Sequence, residues 1–197
     1  MSQDQEQEQA RWEPPLDGTE AEHLLGALDR LRATFRWKTD GLDAAGLDAY
    51  VGAASMTLGG LLKHLAVQED YASAVKLDGQ EMPSPWDVNG WDDDDDWEFS
   101  SAARDTPEQL YAWYDASVAR SRERFSAAIE ADGMERKVAM GVRLGRDIGI
   151  RRLLCDLIEE YGRHTGHADL IREGVDGRTG EDPPTGWQVP WLAGSTR

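Results

Sequence analysis

At 197 residues the chain is long enough for one domain with a sizeable core and short for two. Its 38 acidic residues against 21 basic ones give a net charge of −17, which repels phosphate backbones and anionic lipid and so disfavours nucleic acid and membrane surfaces as partners. A single cysteine, Cys155, excludes an intramolecular disulfide, and no apolar run approaches the ~20 residues of a membrane helix.

Residues 1–18 are polar and acidic, with Pro14-Pro15 and Asp17-Gly18 near their end. They lack the apolar stretch of a secretory signal and read as a loosely packed segment of a soluble, cytoplasmic protein. Thr19-Glu20-Ala21-Glu22 then has the form of a capping box. Leu24, Leu28, Leu31 and Phe35 recur at helical spacing, so the first helix is predicted over 20–38. His23, in its first turn, is read as an ordinary surface residue. Residues 39–56 read as a connection anchored by Leu42, Leu47 and Val51.

The second helix is expected from Ser55 or Thr57 to about Lys76. Leu58, Leu61, Leu62, Leu65 and Val67 form its wide apolar face, and His64 sits within that face. Residues 77–105 lack helical periodicity, and a segment of that length without it is often a functional lid or disordered. The run Asp92 to Asp96 lacks the spaced ligands and central glycine of a calcium loop and reads as a solvated tip. Trp86, Trp91 and Trp97 are expected to lean on the helical body, where they would either line a ligand pocket or pin the loop.

Thr106, Pro107 and Gln109 supply an N-cap, a first-turn proline and a capping-box partner, and start a third helix that runs to about 130. Its buried face is assigned to Leu110, Trp113 or Tyr114, Ser117, Val118, Ser121 and Phe125. Residues 134–146 are read as a loop. The last and longest helix is predicted over 147–173, with Gly174 as its stop and Leu153, Leu154, Leu157, Ile158, Tyr161, Leu170 and Ile171 buried. Cys155, within it, is read as small core filler. The tail, 181–197, carries Pro183-Pro184, Trp187, Pro190 and Trp191; its tryptophans should pack it onto the body. Four long amphipathic helices without strand alternation imply an all-α fold, a four-helix bundle over 19–180 with a long loop between the second and third helices and an irregular tail.

On the last helix Glu160, His164 and His167 lie at i, i+4 and i+7, on one stripe with Leu153, Leu157 and Ile171. Three metal-competent side chains therefore point where apolar core is expected, and His64 can meet them from the second helix. Carboxylate and imidazole suit zinc, nickel, iron or manganese, and a three-ligand set leaves a position open for substrate. The same spacing also admits half-buried groups that hydrogen-bond one another with no metal at all.

The run Met56-Thr57-Leu58-Gly59-Gly60-Leu61-Leu62-Lys63-His64-Leu65-Ala66-Val67-Gln68-Glu69-Asp70-Tyr71 resembles the second-helix signature of the DinB/YfiT-like superfamily. Residues 159–173, with Asp176-Gly177-Arg178-Thr179-Gly180, resemble its mini-circle protein branch, as do Trp97-Glu98-Phe99 and the segment 105–110. The similarity spans about residues 20–180. It implies a DinB-like four-helix bundle holding a divalent metal by one residue of the second helix and two of the last. Many such proteins use three histidines; here Glu160 takes the place of one, a set similar to the His, Glu, His zinc site of mycothiol-dependent maleylpyruvate isomerases. The resemblance thus favours His64, Glu160 and His164 as ligands, with His167 either replacing Glu160 or carrying protons beside the site. It further implies a small-molecule substrate, a low-molecular-weight thiol such as mycothiol, bacillithiol or glutathione as cofactor, and pairing into a homodimer. The leading expectation is a metal-dependent thiol transferase or isomerase acting on small electrophiles. Beside it stand a non-catalytic dimer that binds metal or a small ligand, and a bundle whose histidines are merely satisfied core residues.

Overall fold

Thr19 and Thr106 start their helices as their sequences predict. Thr19 Oγ1 accepts from the Glu22 amide and the Glu22 carboxylate accepts from the Thr19 amide, and Thr106 and Gln109 make the same reciprocal pair. The computed structural model describes residues 12–184 and 186–192. Among these, seven α-helices occur: α1 (Glu20–Thr39), α2 (Ala44–Leu47), α3 (Leu58–Asp70), α4 (Trp97–Ser100), α5 (Pro107–Asp132), α6 (Ala139–Leu144) and α7 (Ile150–Asp176). A π-helical segment, Tyr71–Leu77, continues α3. No strand forms among the described residues; a lone antiparallel bridge joins Lys137 and Gly149. The fold is all-α. Its long helices pack α1 along α7, α3 along α5, and α3 against α7, an arrangement compatible with a four-helix bundle. No helix of the described residues is long and apolar enough to cross a membrane.

The last helix ends later than its glycine suggests. α7 runs through Gly174 to Asp176, and Gly177 caps it in the left-handed region at φ 82°. Gly174 serves packing instead: a Cβ there would lie 2.2 Å from Val51 Cγ1, so only a bare backbone lets the 39–56 connection cross α7 at that level. Three further expectations need correction. Cys155 is exposed, because it falls on the solvent side of α7. Leu170 is 70% exposed for the same reason, one position short of buried Ile171. Residues 134–146 contain α6, and the 39–56 connection contains α2, both too short for periodicity to reveal.

The third helix buries Tyr114 rather than Trp113, with Leu110, Ser117, Val118, Ser121 and Phe125 alongside. Tyr114, Phe35 and Tyr161 form an aromatic cluster between α1, α5 and α7. Trp191 packs edge-on to Tyr114 and Trp187 edge-on to Trp12, which fixes the described part of the tail to the body. Trp12 is buried beside Val189, so the chain is anchored ahead of α1. The rest of the expected loose segment, residues 1–11, lies outside the described residues.

The long loop is pinned at several points. Trp86 is buried and donates from Nε1 to Asp70 at 2.8 Å. The buried Lys63 ammonium reaches Ser101 Oγ at 2.7 Å and Asp105 at 2.6 Å, and lies 4.3 Å from the centroid of the Trp97 ring. Asp92 to Asp96 remain exposed, as a solvated tip should. Through the Lys63 clamp the loop lays α4 on α3, directly over the second-helix histidine. Gly60, one turn before that histidine, makes room: a Cβ there would sit 3.1 Å from Phe99 Cδ1.

Candidate metal centre

His64 projects from α3 toward α7 and meets His164, the two rings edge-to-face at 4.9 Å. His164 Nε2 lies 3.3 Å from Glu160 Oε2 one turn earlier on α7. One ligand-type atom from each of His64, Glu160 and His164 falls within 4.8 Å of the others. Three of the four residues singled out in the sequence thus converge between α3 and α7. His167 stands behind them, half-buried, with its Nδ1 3.3 Å from His164 Nδ1. His23, by contrast, is exposed on α1 with its Nε2 3.1 Å from the Pro15 carbonyl oxygen, an ordinary surface residue.

The tautomer of His64 follows from its neighbour. Its Nδ1 lies 3.2 Å from Glu98 Oε1, so the Nδ1 proton donates to the carboxylate. That leaves Nε2 as the bare lone pair. This atom is buried and has no hydrogen-bond partner among the described residues, an arrangement that costs free energy unless something accepts the lone pair. Glu98 is itself fixed, because Trp91 Nε1 donates to its second oxygen at 2.6 Å. Phe99 stacks on the His64 ring at 4.7 Å and closes this side of the site.

Burial and then the neighbouring His64 hold the His164 imidazole neutral, its pKa lowered to about 4 from the usual 6.5 against the opposing pull of Glu160. At neutral pH both rings therefore offer neutral nitrogen, the form that binds metal. Burial alone would raise the Glu98 carboxyl, but hydrogen bonds from His64 and Trp91 outweigh it and leave the pKa lowered, so Glu98 is ionised behind His64. A carboxylate on the far nitrogen of a histidine is the usual support of a metal-binding imidazole. The Glu160–His164 separation also fits: a tetrahedral ion with bonds of ~2.0–2.1 Å sets its donor atoms roughly 3.3–3.5 Å apart. The unpartnered nitrogen, the neutral rings and the donor chemistry all suit a divalent ion.

Glu98, Trp91 and Phe99 are the members of this site that sequence reasoning leaves without a role. Trp97-Glu98-Phe99 stands out only as a family-like tripeptide. The available signal is an acid between two aromatics in a loop that must fold back on the helices.

A family model described as mycothiol-S-transferase matches residues 23–177. The chain belongs to the mycothiol-S-transferase family. This is a DinB/YfiT-like family, in line with the resemblance carried by the α3 and α7 segments. The match runs from the first turn of α1 to the cap of α7 and takes in every residue of the site. Membership brings with it a mycothiol-related S-transferase activity and a small-molecule substrate. Comparison with curated proteins and with solved structures gave no match.

Proposed function

We propose that this protein is a metal-dependent S-transferase that joins the sulfur of mycothiol to a small electrophile, with His64, Glu160 and His164 as the metal ligands. The single observation behind the reading is the buried, unpartnered Nε2 of His64, turned toward Glu160 and His164 on the facing helix. When bound, a divalent ion, zinc foremost, lowers the pKa of a thiol it contacts so that the sulfur is a thiolate at neutral pH.

The protein's own residues do the rest. His64 and His164 hold neutral nitrogens from two helices, and Glu160 adds a negative oxygen at the more open edge, its side chain 33% exposed. Glu98 retains the Nδ1 proton of His64 and fixes its ring. His167 stands to His164 as Glu98 does to His64, sharing a proton between the two Nδ1 atoms, and we place it outside the ligand set. Phe99 and the α4 segment keep water from the His64 side. In the transfer a carbon–sulfur bond forms, the leaving group departs with its electron pair, and the thiol proton passes to solvent at the Glu160 edge.

Elemental analysis and a conjugation assay test this directly. Protein purified without chelator should hold stoichiometric metal, which His64→Ala and His164→Ala should lose. It should also couple mycothiol to an electrophile such as 1-chloro-2,4-dinitrobenzene. Protein that stays metal-free when offered zinc or nickel overturns the proposal.

A further inference from the structure

A cleft of about 670 Å³ opens between α3, its π-helical continuation and the first half of α7, and Glu160 stands at one end of it. Its floor is apolar, made by Ala72, Leu153 and Leu157. Its rim is polar, with Gln68 nearest the histidines and Lys76 and Arg152 toward the far end. From Glu160 to Arg152 is eight residues of helix, roughly 12 Å. The α4 segment closes the opposite side of His64, so this cleft is an open approach to the three converging residues.

Its charges cancel. Lys76 and Arg152 face Asp156 and Glu159, and Glu160 is the remaining charged residue of the lining. The cations are also already engaged. Arg152 Nε donates to Asp156 Oδ1 at 2.6 Å, and the Lys76 ammonium sits 4.8 Å from the centroid of the Tyr71 ring. No cation is free to receive a carboxylate, whereas amide, hydroxyl and carboxylate groups are available to hydroxyls and amides. On the reading of the site given above, we infer that this cleft seats the body of the thiol and selects an uncharged, hydroxyl- and amide-bearing one over thiols that carry carboxylates. Asp156 is the specificity-determining residue: it neutralises Arg152 and repels anions.

Cobalt-loaded protein provides the test, because sulfur-to-cobalt absorption reports thiol binding without turnover. Mycothiol is the neutral probe and glutathione, with two carboxylates, the anionic one. Wild type should bind mycothiol more tightly. Asp156→Asn frees the Arg152 guanidinium and should tighten glutathione on the order of tenfold, narrowing the preference, with cobalt content unchanged. Adding Arg152→Gln to that variant should cancel the gain, and 1 M salt should weaken it. A preference that Asp156→Asn leaves unchanged, or a gain that survives Arg152→Gln, overturns the inference while the transferase reading stands. Protein that takes up no cobalt, or a cobalt protein that binds neither thiol, overturns both.

Discussion

One helix, α3, carries two kinds of buried polar residue on two of its faces, and they are treated in opposite ways. On the face toward α1 and α5, Glu69 and Asp70 are fully buried and answered by partners. Glu69 accepts two hydrogen bonds from Arg32, at 2.7 and 2.6 Å, and Asp70 accepts from Trp86, Ser117 and Arg120. On the face toward α7, His64 receives one partner, Glu98, and keeps a bare nitrogen. The first arrangement is closed and holds helices together; the second is held ready for something outside the chain. Burial of charge therefore does not by itself mark a site in this protein. An unanswered valence facing other metal-competent groups does.

Breaking the closed face should give the largest effect. Glu69→Ala leaves the Arg32 guanidinium, 1% exposed, without its main counter-ion, and should cost about 3–5 kcal/mol in urea denaturation. Next in size is Glu98→Gln, which keeps a hydrogen-bond acceptor but removes the charge behind His64. It should weaken metal binding by about 10–100-fold in competition with a chelator, with little change in the stability of metal-free protein.

The His164 ring sharpens the contrast through pH. In metal-free protein its folded pKa is about 4, against about 6.5 in the unfolded chain, so between these values the unfolded state binds the extra proton. Stability should be constant above pH 6.5 and fall by about 1–2 kcal/mol toward pH 4, the half-open surroundings reducing the full difference. The urea midpoint followed across that range in wild type and His164→Gln checks it, since the variant should lose this component. Smallest is Trp91→Phe, which removes a single hydrogen bond to Glu98 and should cost less than about tenfold in metal affinity. A larger loss there than in Glu98→Gln would mean that the loop, rather than the carboxylate, orients His64.

The contrast also explains what the sequence makes legible. The long helices can be read because their apolar residues repeat at helical spacing and two of their starts carry complete capping boxes. The stripe Glu160, His164 and His167 is visible for the same reason, since periodicity places residues of one helix on one face. Periodicity cannot say which residue of another segment arrives opposite them. His64 can be added because it interrupts the apolar face of α3, but Glu98 lies in a four-residue helix whose position depends on the buried Lys63 clamp and on the space at Gly60. Gly174 misleads because the same residue type serves close packing at one position and helix termination three residues later. Arg32 and Glu69, on different helices, give no pattern that predicts their pairing.

His64 and His164 are separated by 100 positions in the chain and sit on the second and last long helices. Any ligand that bridges them is a cross-link available only to the folded chain, and its binding free energy adds to folding stability: about 4 kcal/mol at a thousandfold excess over Kd. Against the 5–15 kcal/mol that holds a typical domain folded, that is a large share. The cellular lifetime of this protein should therefore follow metal supply. Starved of the ion, the chain would spend more time open to proteolysis, and its abundance would fall before its catalytic groups were altered in any way.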